Sequence, residues 1–107
     1  SMELIVNKAH TYEGTFPIFK KGTKIEKLEE CKNFSAWYSC EIEGYSTYIH
    51  EDYFKKDILV EDYNPTELNA DIGDKLILVF IKNSWLYCKN ENGVSGWIPA
   101  DNVKVIV

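Results

Sequence analysis

The residue pattern predicts an all-β protein, built as two small β-barrels in tandem and packed together through a short linker. Two observations predict it. Sequence blocks recur in the same order at a nearly constant offset, and each block reads as a strand or a turn, rich in β-branched and aromatic residues. A chain of 107 residues would ordinarily hold one domain. Two barrels sharing that length sit near the lower size limit for an independent core and are expected to lean on one another.

The repeat has three parts. Trp37-Tyr38-Ser39-Cys40 and Trp85-Leu86-Tyr87-Cys88 both read Trp-x-x-Cys, 48 positions apart. Glu43-Gly44-Tyr45-Ser46-Thr47-Tyr48-Ile49-His50 matches Asn92-Gly93-Val94-Ser95-Gly96-Trp97-Ile98-Pro99 at an offset of 49. Upstream, Phe19 to Ile25 sits against Ala70 to Leu76 at an offset of 51. Drifts of one or two residues place the insertions in loops.

The elements follow in order. Leu4 to Lys8 is a first strand, and Ala9 to Pro17, with His10, Tyr12 and Phe16, is a loop. Glu26 to Lys32 could pass for a helical turn, but the repeat puts it in a strand and the loop after it. Lys55-Lys56-Asp57 is expected to be the linker. Lys75 to Ile81 is an apolar run of strand length after a Gly73-Asp74 turn. Trp85 to Lys89 alternates, and Asn90 to Gly93 is a hairpin turn. Gly96 to Ile98 is a short strand stopped by Pro99. Ala100 to Asn102 suits one 3₁₀ turn, and Val103 to Val107 closes the chain.

Composition narrows the function classes. The net charge is −5, and all twelve basic residues are Lys. Without the arginine fork that reads phosphates and guanine edges, an acidic chain is a poor partner for a polyanion, so nucleic acid is not an expected partner. No apolar run reaches the roughly 18 residues needed to span a bilayer, so no membrane partner is expected. No signal peptide is visible, and Ser1-Met2 reads as a tag remnant. Cys31, Cys40 and Cys88 are odd in number and widely spaced, which argues against a zinc site or a disulfide framework and for a reducing, cytoplasmic setting.

From Ile58 onward the sequence resembles an SH3 domain. Val60-Glu61-Asp62-Tyr63 is similar to the family's Ala-Leu-Tyr-Asp-Tyr. Glu67-Leu68-Asn69-Ala70-Asp71-Ile72-Gly73-Asp74 is similar to Glu-Leu-x-Phe-x-x-Gly-Asp. Trp85 stands at the first of the paired tryptophans. Gly96-Trp97-Ile98-Pro99-Ala100-Asp101-Asn102-Val103 is similar to Gly-Trp-Phe-Pro-Ser-Asn-Tyr-Val. The resemblance implies an SH3 domain over 58–107 and, through the repeat, a divergent SH3-like barrel over 1–57. The whole chain resembles the small bacterial tandem-SH3 proteins known only as ligand-binding SH3 proteins.

SH3 domains take up a polyproline II segment on a shallow aromatic groove, with an acidic loop orienting a basic ligand residue. The resemblance therefore implies a peptide-binding site at Tyr63, Trp85, Pro99 and Glu67, with Glu61 and Asp62 near the acid. Trp37 and Tyr53 would form a second patch, with His50 in place of the proline. Three departures thin the aromatic platform: Glu61 replaces the first groove tyrosine, Asn102 the last, and Leu86 the second tryptophan.

The remaining polar residues read without special chemistry. Cys40 and Cys88 stand where the family places a small buried residue, so they are expected as compact hydrophobes. Cys31 falls in a loop and carries no sign of activation. His10 and His50 are expected at a surface or interface, since no spacing sets a base against a nucleophile. Glu51-Asp52 and Glu61-Asp62 lack the ligand count for calcium and read as a solvated face. No catalytic residue, metal site or cofactor is expected. The expected function is a non-enzymatic module binding a short peptide or extended protein segment, basic or proline-containing. The alternatives are a structural or assembly protein that uses its aromatic faces barrel-to-barrel or in a homodimer, and a peptidoglycan-binding module if the chain is exported.

Overall fold

A computed structural model of the chain describes residues 1–106. Among the described residues the protein is all-β, with ten strands and two 3₁₀ turns. In chain order the strands are β1 (Glu3–Val6), β2 (Ile25–Glu30), β3 (Trp37–Ile42), β4 (Tyr45–His50), β5 (Phe54–Lys55), β6 (Ile58–Leu59), β7 (Lys75–Lys82), β8 (Trp85–Asn90), β9 (Ser95–Pro99) and β10 (Val103–Val105). The 3₁₀ turns are Glu51–Tyr53, after β4, and Ala100–Asn102, after β9. The expected closing strand is shorter than Val103 to Val107; its last residue, Val107, lies outside the described residues.

The strands form a five-stranded sheet in the order β10-β1-β7-β8-β9, a three-stranded sheet β2-β3-β4 and a two-stranded pair β5-β6. Every strand pairing is antiparallel. None of these sheets closes on itself among the described residues.

The chain forms two compact units, divided otherwise than at the expected 1–57 and 58–107. Ser1–Thr15 joins the segment from Thr66 onward in one unit, and Phe16–Pro65 is the other. The reason is β1. Leu4 pairs with Leu76 on one side and Val105 on the other, so the first strand completes the C-terminal sheet. The expected linker is no linker either. Lys56-Asp57 is the two-residue turn of the β5–β6 hairpin, with Lys56 at φ 57°. The continuous unit is thus nested in the sequence of the discontinuous one.

In the discontinuous unit, alternation builds the core. Leu4 and Val6 of β1, Leu76 of β7, Leu86 and Cys88 of β8 and Ile98 of β9 point inward with Leu68 and Ala70, while Ile77 and Val79 face out. A bulge at Val79 breaks the period: Leu78 pairs with Cys88 but Phe80 pairs with Tyr87. The shift puts Phe80 on the face opposite the core. There it stacks on Tyr87 at 5.0 Å, and Trp97 meets both edge-on. The β7–β8 connection, Asn83-Ser84, has both residues at positive φ, as a twisted two-residue hairpin requires. In the β8–β9 turn, Asn90 Oδ1 accepts from the backbone N–H of Asn92 and of Val94.

In the continuous unit, Phe19, Ile25, Ile42, Ile49, Tyr53, Leu59 and Tyr63 are buried. Phe19 and Tyr63 exchange backbone hydrogen bonds at 2.9 and 2.8 Å, so the two ends of this unit lie side by side. His10 and Ala70 make the same two-way bridge in the discontinuous unit, at 2.9 Å each way. Adjacent ends are the geometry that lets one folded segment be inserted into another.

Gly96 marks the tightest approach. A Cβ there would lie 3.0 Å from the Thr66 carbonyl oxygen and 3.1 Å from the Leu68 amide nitrogen, both backbone atoms. Replacing Gly96 with Ala must push the Thr66–Leu68 segment off β9. Overpacking of this kind costs about 1–3 kcal/mol, so urea unfolding of Gly96→Ala should show a lower midpoint with an unchanged slope.

Candidate functional site

Three of the six expected groove residues lie in one unit. Trp85 opens β8 and pairs in register with Pro99, the last residue of β9, and with Lys82 of β7. Trp85 and Pro99 are both half-exposed. Glu67 forms a parallel bridge with Trp97. It is fixed on both sides, because Trp97 donates to the Thr66 carbonyl at 3.0 Å and Leu68 donates to the Trp97 carbonyl at 2.7 Å. β9 therefore carries Pro99 at its end and pins the acid through its middle.

His10 joins these residues. Its Nε2 lies 2.8 Å from Glu67 Oε1, and the two side chains are only 17% and 15% exposed. Its ring meets Trp85 edge-on, with centroids 6.1 Å apart. Burial pushes the Glu67 carboxyl above its ordinary range, opposed by the hydrogen bond and charge of His10. A carboxylate drawn this far from water depends on its donor, and here that donor is a residue 57 positions away.

Asn102 sets His10 in place. Its side-chain amide donates to the carbonyls of Lys8 at 3.0 Å and Ala9 at 3.2 Å, and its own carbonyl accepts from Asn7 and Lys8. By the family resemblance Asn102 replaces a groove tyrosine. The buried amide instead ties the 3₁₀ turn that follows Pro99 to the strand exit that leads to His10. Further out, the Tyr12 amide donates to Asn69 Oδ1 at 2.6 Å.

The other three expected residues belong to the Phe16–Pro65 unit and are buried. Trp37 is 5% exposed and lies edge-on to His50, its cross-strand neighbour, at 5.4 Å. His50, expected at a surface or interface, is 3% exposed, and its Nδ1 accepts from the Asp52 amide at 3.0 Å. Tyr53 packs on Tyr63 at 4.6 Å, and the Tyr63 hydroxyl donates to the Tyr48 carbonyl. Both tyrosines are buried core residues of this unit. Asp62 is exposed; a hydrogen bond from the Lys21 amide, then nearby Lys20, lowers its carboxyl. A depression of about 310 Å³ on β2–β4 is lined by Lys27, Glu29, Ser39, Glu41, Ser46 and Tyr48 among others. It is polar, and its Lys27 is already paired with Glu41 at 3.1 Å.

The thiols are unpaired. Burial pushes Cys40 up to about 12, helped by Cys31, and Cys88 up to about 11. Burial raises Cys31 as well, although that side chain is partly open. No group of His, Cys, Asp and Glu with metal-binding geometry occurs among the described residues.

Compared with known protein families, curated proteins and solved structures, the chain matches none. The site therefore rests on its own geometry.

Two measurements check these assignments. Asn102→Ala removes two hydrogen bonds and should cost about 1–3 kcal/mol, read by urea unfolding, with shifted imidazole resonances of His10. Iodoacetamide at pH 8 should label Cys31 in the folded protein and reach Cys40 and Cys88 only after unfolding, because the thiolate is the reactive form; peptide mass mapping distinguishes the three.

Proposed function

We propose that the protein is a non-enzymatic binding module that takes up a short extended peptide, basic and proline-containing, on the surface formed by Trp85, Pro99, Glu67 and His10. The observation that carries this reading is the placement of a partly exposed tryptophan and a proline opposite one another on adjacent strands, in the unit that also holds the Glu67–His10 pair. An extended proline-containing segment loses little entropy on docking against such a surface, and the acid favours a cation on the ligand. The surface is small and shallow, so the affinity is modest.

We further read both units as SH3-like, related by an internal repeat. Each has two adjacent hairpin strands followed by a 3₁₀ turn and another short strand: β3, β4, Glu51–Tyr53 and β5; β8, β9, Ala100–Asn102 and β10. Each sets its tryptophan opposite the residue before the 3₁₀ turn, Trp37 with His50 and Trp85 with Pro99. The arrangement is then nested rather than tandem. The unpaired thiols fit a reducing, cytoplasmic setting, and among the described residues no helix is long and apolar enough to cross a membrane.

Isothermal titration with proline-rich peptides containing arginine or lysine tests the reading. Saturable binding should weaken at least about tenfold in Trp85→Ala, since truncating an anchoring tryptophan commonly costs about 2 kcal/mol or more. Trp37→Ala should change stability and not affinity. Heat signals absent at all peptide concentrations, with self-association by light scattering, would favour the assembly role instead.

A further inference from the structure

We propose that His10 is a built-in competitor for the ligand's cation: its imidazole occupies Glu67 in the free protein, and a peptide guanidinium binds by displacing it. This rests on the peptide-binding reading and adds which ligand chemistry the site selects and what opposes it.

The geometry supports the role in three ways. First, the position a ligand cation would take is already filled, with His10 Nε2 at 2.8 Å from Glu67 Oε1. Second, the ring spans the two halves of the surface, since it also meets the Trp85 edge at 6.1 Å. Third, the backbone at His10 is held independently of its ring, by the two-way bridge to Ala70 and by the Asn102 amide on Lys8 and Ala9. Neither contact uses the imidazole, so displacing the ring leaves the backbone bridge to Ala70 in place.

The exchange has a favourable direction for arginine. One imidazole nitrogen gives the carboxylate a single N–H, whereas a guanidinium gives two in parallel with a fixed charge. The neighbouring cation, Lys82, sits across from Trp85 with its Nζ 5.5 Å from the Phe80 ring centre, turned to an aromatic face. A neutral ligand gains nothing from Glu67 and must leave His10 where it is. His10 therefore sets a threshold that arginine-containing peptides cross and neutral ones do not.

The test uses the full chain and two synthetic proline-rich decapeptides, one with a central arginine and one with citrulline, its neutral isostere. In His10→Ala the arginine peptide should bind about tenfold more tightly than to the wild type, a gain of about 1.4 kcal/mol, while the citrulline peptide changes less than about twofold. Glu67→Gln should erase the difference between the peptides, and His10→Ala added to Glu67→Gln should have no further effect, which is the coupling a shared contact demands. His10→Phe keeps a ring against Trp85 and removes the hydrogen bond; it should behave as His10→Ala and serves if that variant folds poorly. Unchanged or weaker arginine-peptide binding in both His10 variants, with Trp85→Ala still abolishing binding, overturns the competitor role and leaves the peptide-binding reading intact. Failure of both peptides to bind wild type and His10 variants overturns both.

Discussion

The pairing of β1 with β7 and β10 holds the N-terminal strand inside the C-terminal sheet, and the rest of the discontinuous unit depends on it. Leu4 and Val6 can be buried only because β7 and β10 flank them. Closing a loop of about 70 residues between Leu4 and Leu76 costs on the order of 4 kcal/mol of chain entropy. Burying two such side chains contributes about 1.5–3 kcal/mol each, a gain of the same order. The nested unit eases the closure. Once Phe19 and Tyr63 are bridged, its ends are adjacent, and the free loop shrinks to the short arms on either side.

The same arms build the site. The outgoing arm carries His10 and the returning arm carries Glu67, and the His10–Ala70 bridge fixes their register. Asn102 then links the outgoing arm to the 3₁₀ turn that follows Pro99. Trp85 and Pro99 are presented by a regular hairpin, whereas the polar half of the site hangs on two backbone bridges and one side-chain amide.

In each unit a tryptophan opens a strand opposite the residue before a 3₁₀ turn. In the Phe16–Pro65 unit, Trp37 and its cross-strand neighbour His50 are both buried. In the discontinuous unit, Trp85 and Pro99 are half-buried, and His10 supplies the ring that meets the tryptophan. A histidine thus packs against the tryptophan in each case, once from the adjacent strand and once from a distant arm.

The sequence by itself determined the all-β class, most strand positions, the hairpin turn at Asn90 to Gly93, the 3₁₀ turn at Ala100–Asn102 and the burial of Cys40 and Cys88. These follow from alternation, turn chemistry and side-chain size, which act over a few residues. Short motifs also singled out Trp85, Pro99 and Glu67, which the fold brings into one unit. Only the tertiary structure decided that β1 belongs with the C-terminal strands, that Lys56-Asp57 is a hairpin turn, that Tyr63 and Tyr53 are core, and that His10 and Asn102 complete the site. Each of those outcomes joins positions far apart in the chain or depends on which of two similar sheets a segment enters. Period and composition say that a strand has a buried face; they carry no record of which partner covers it.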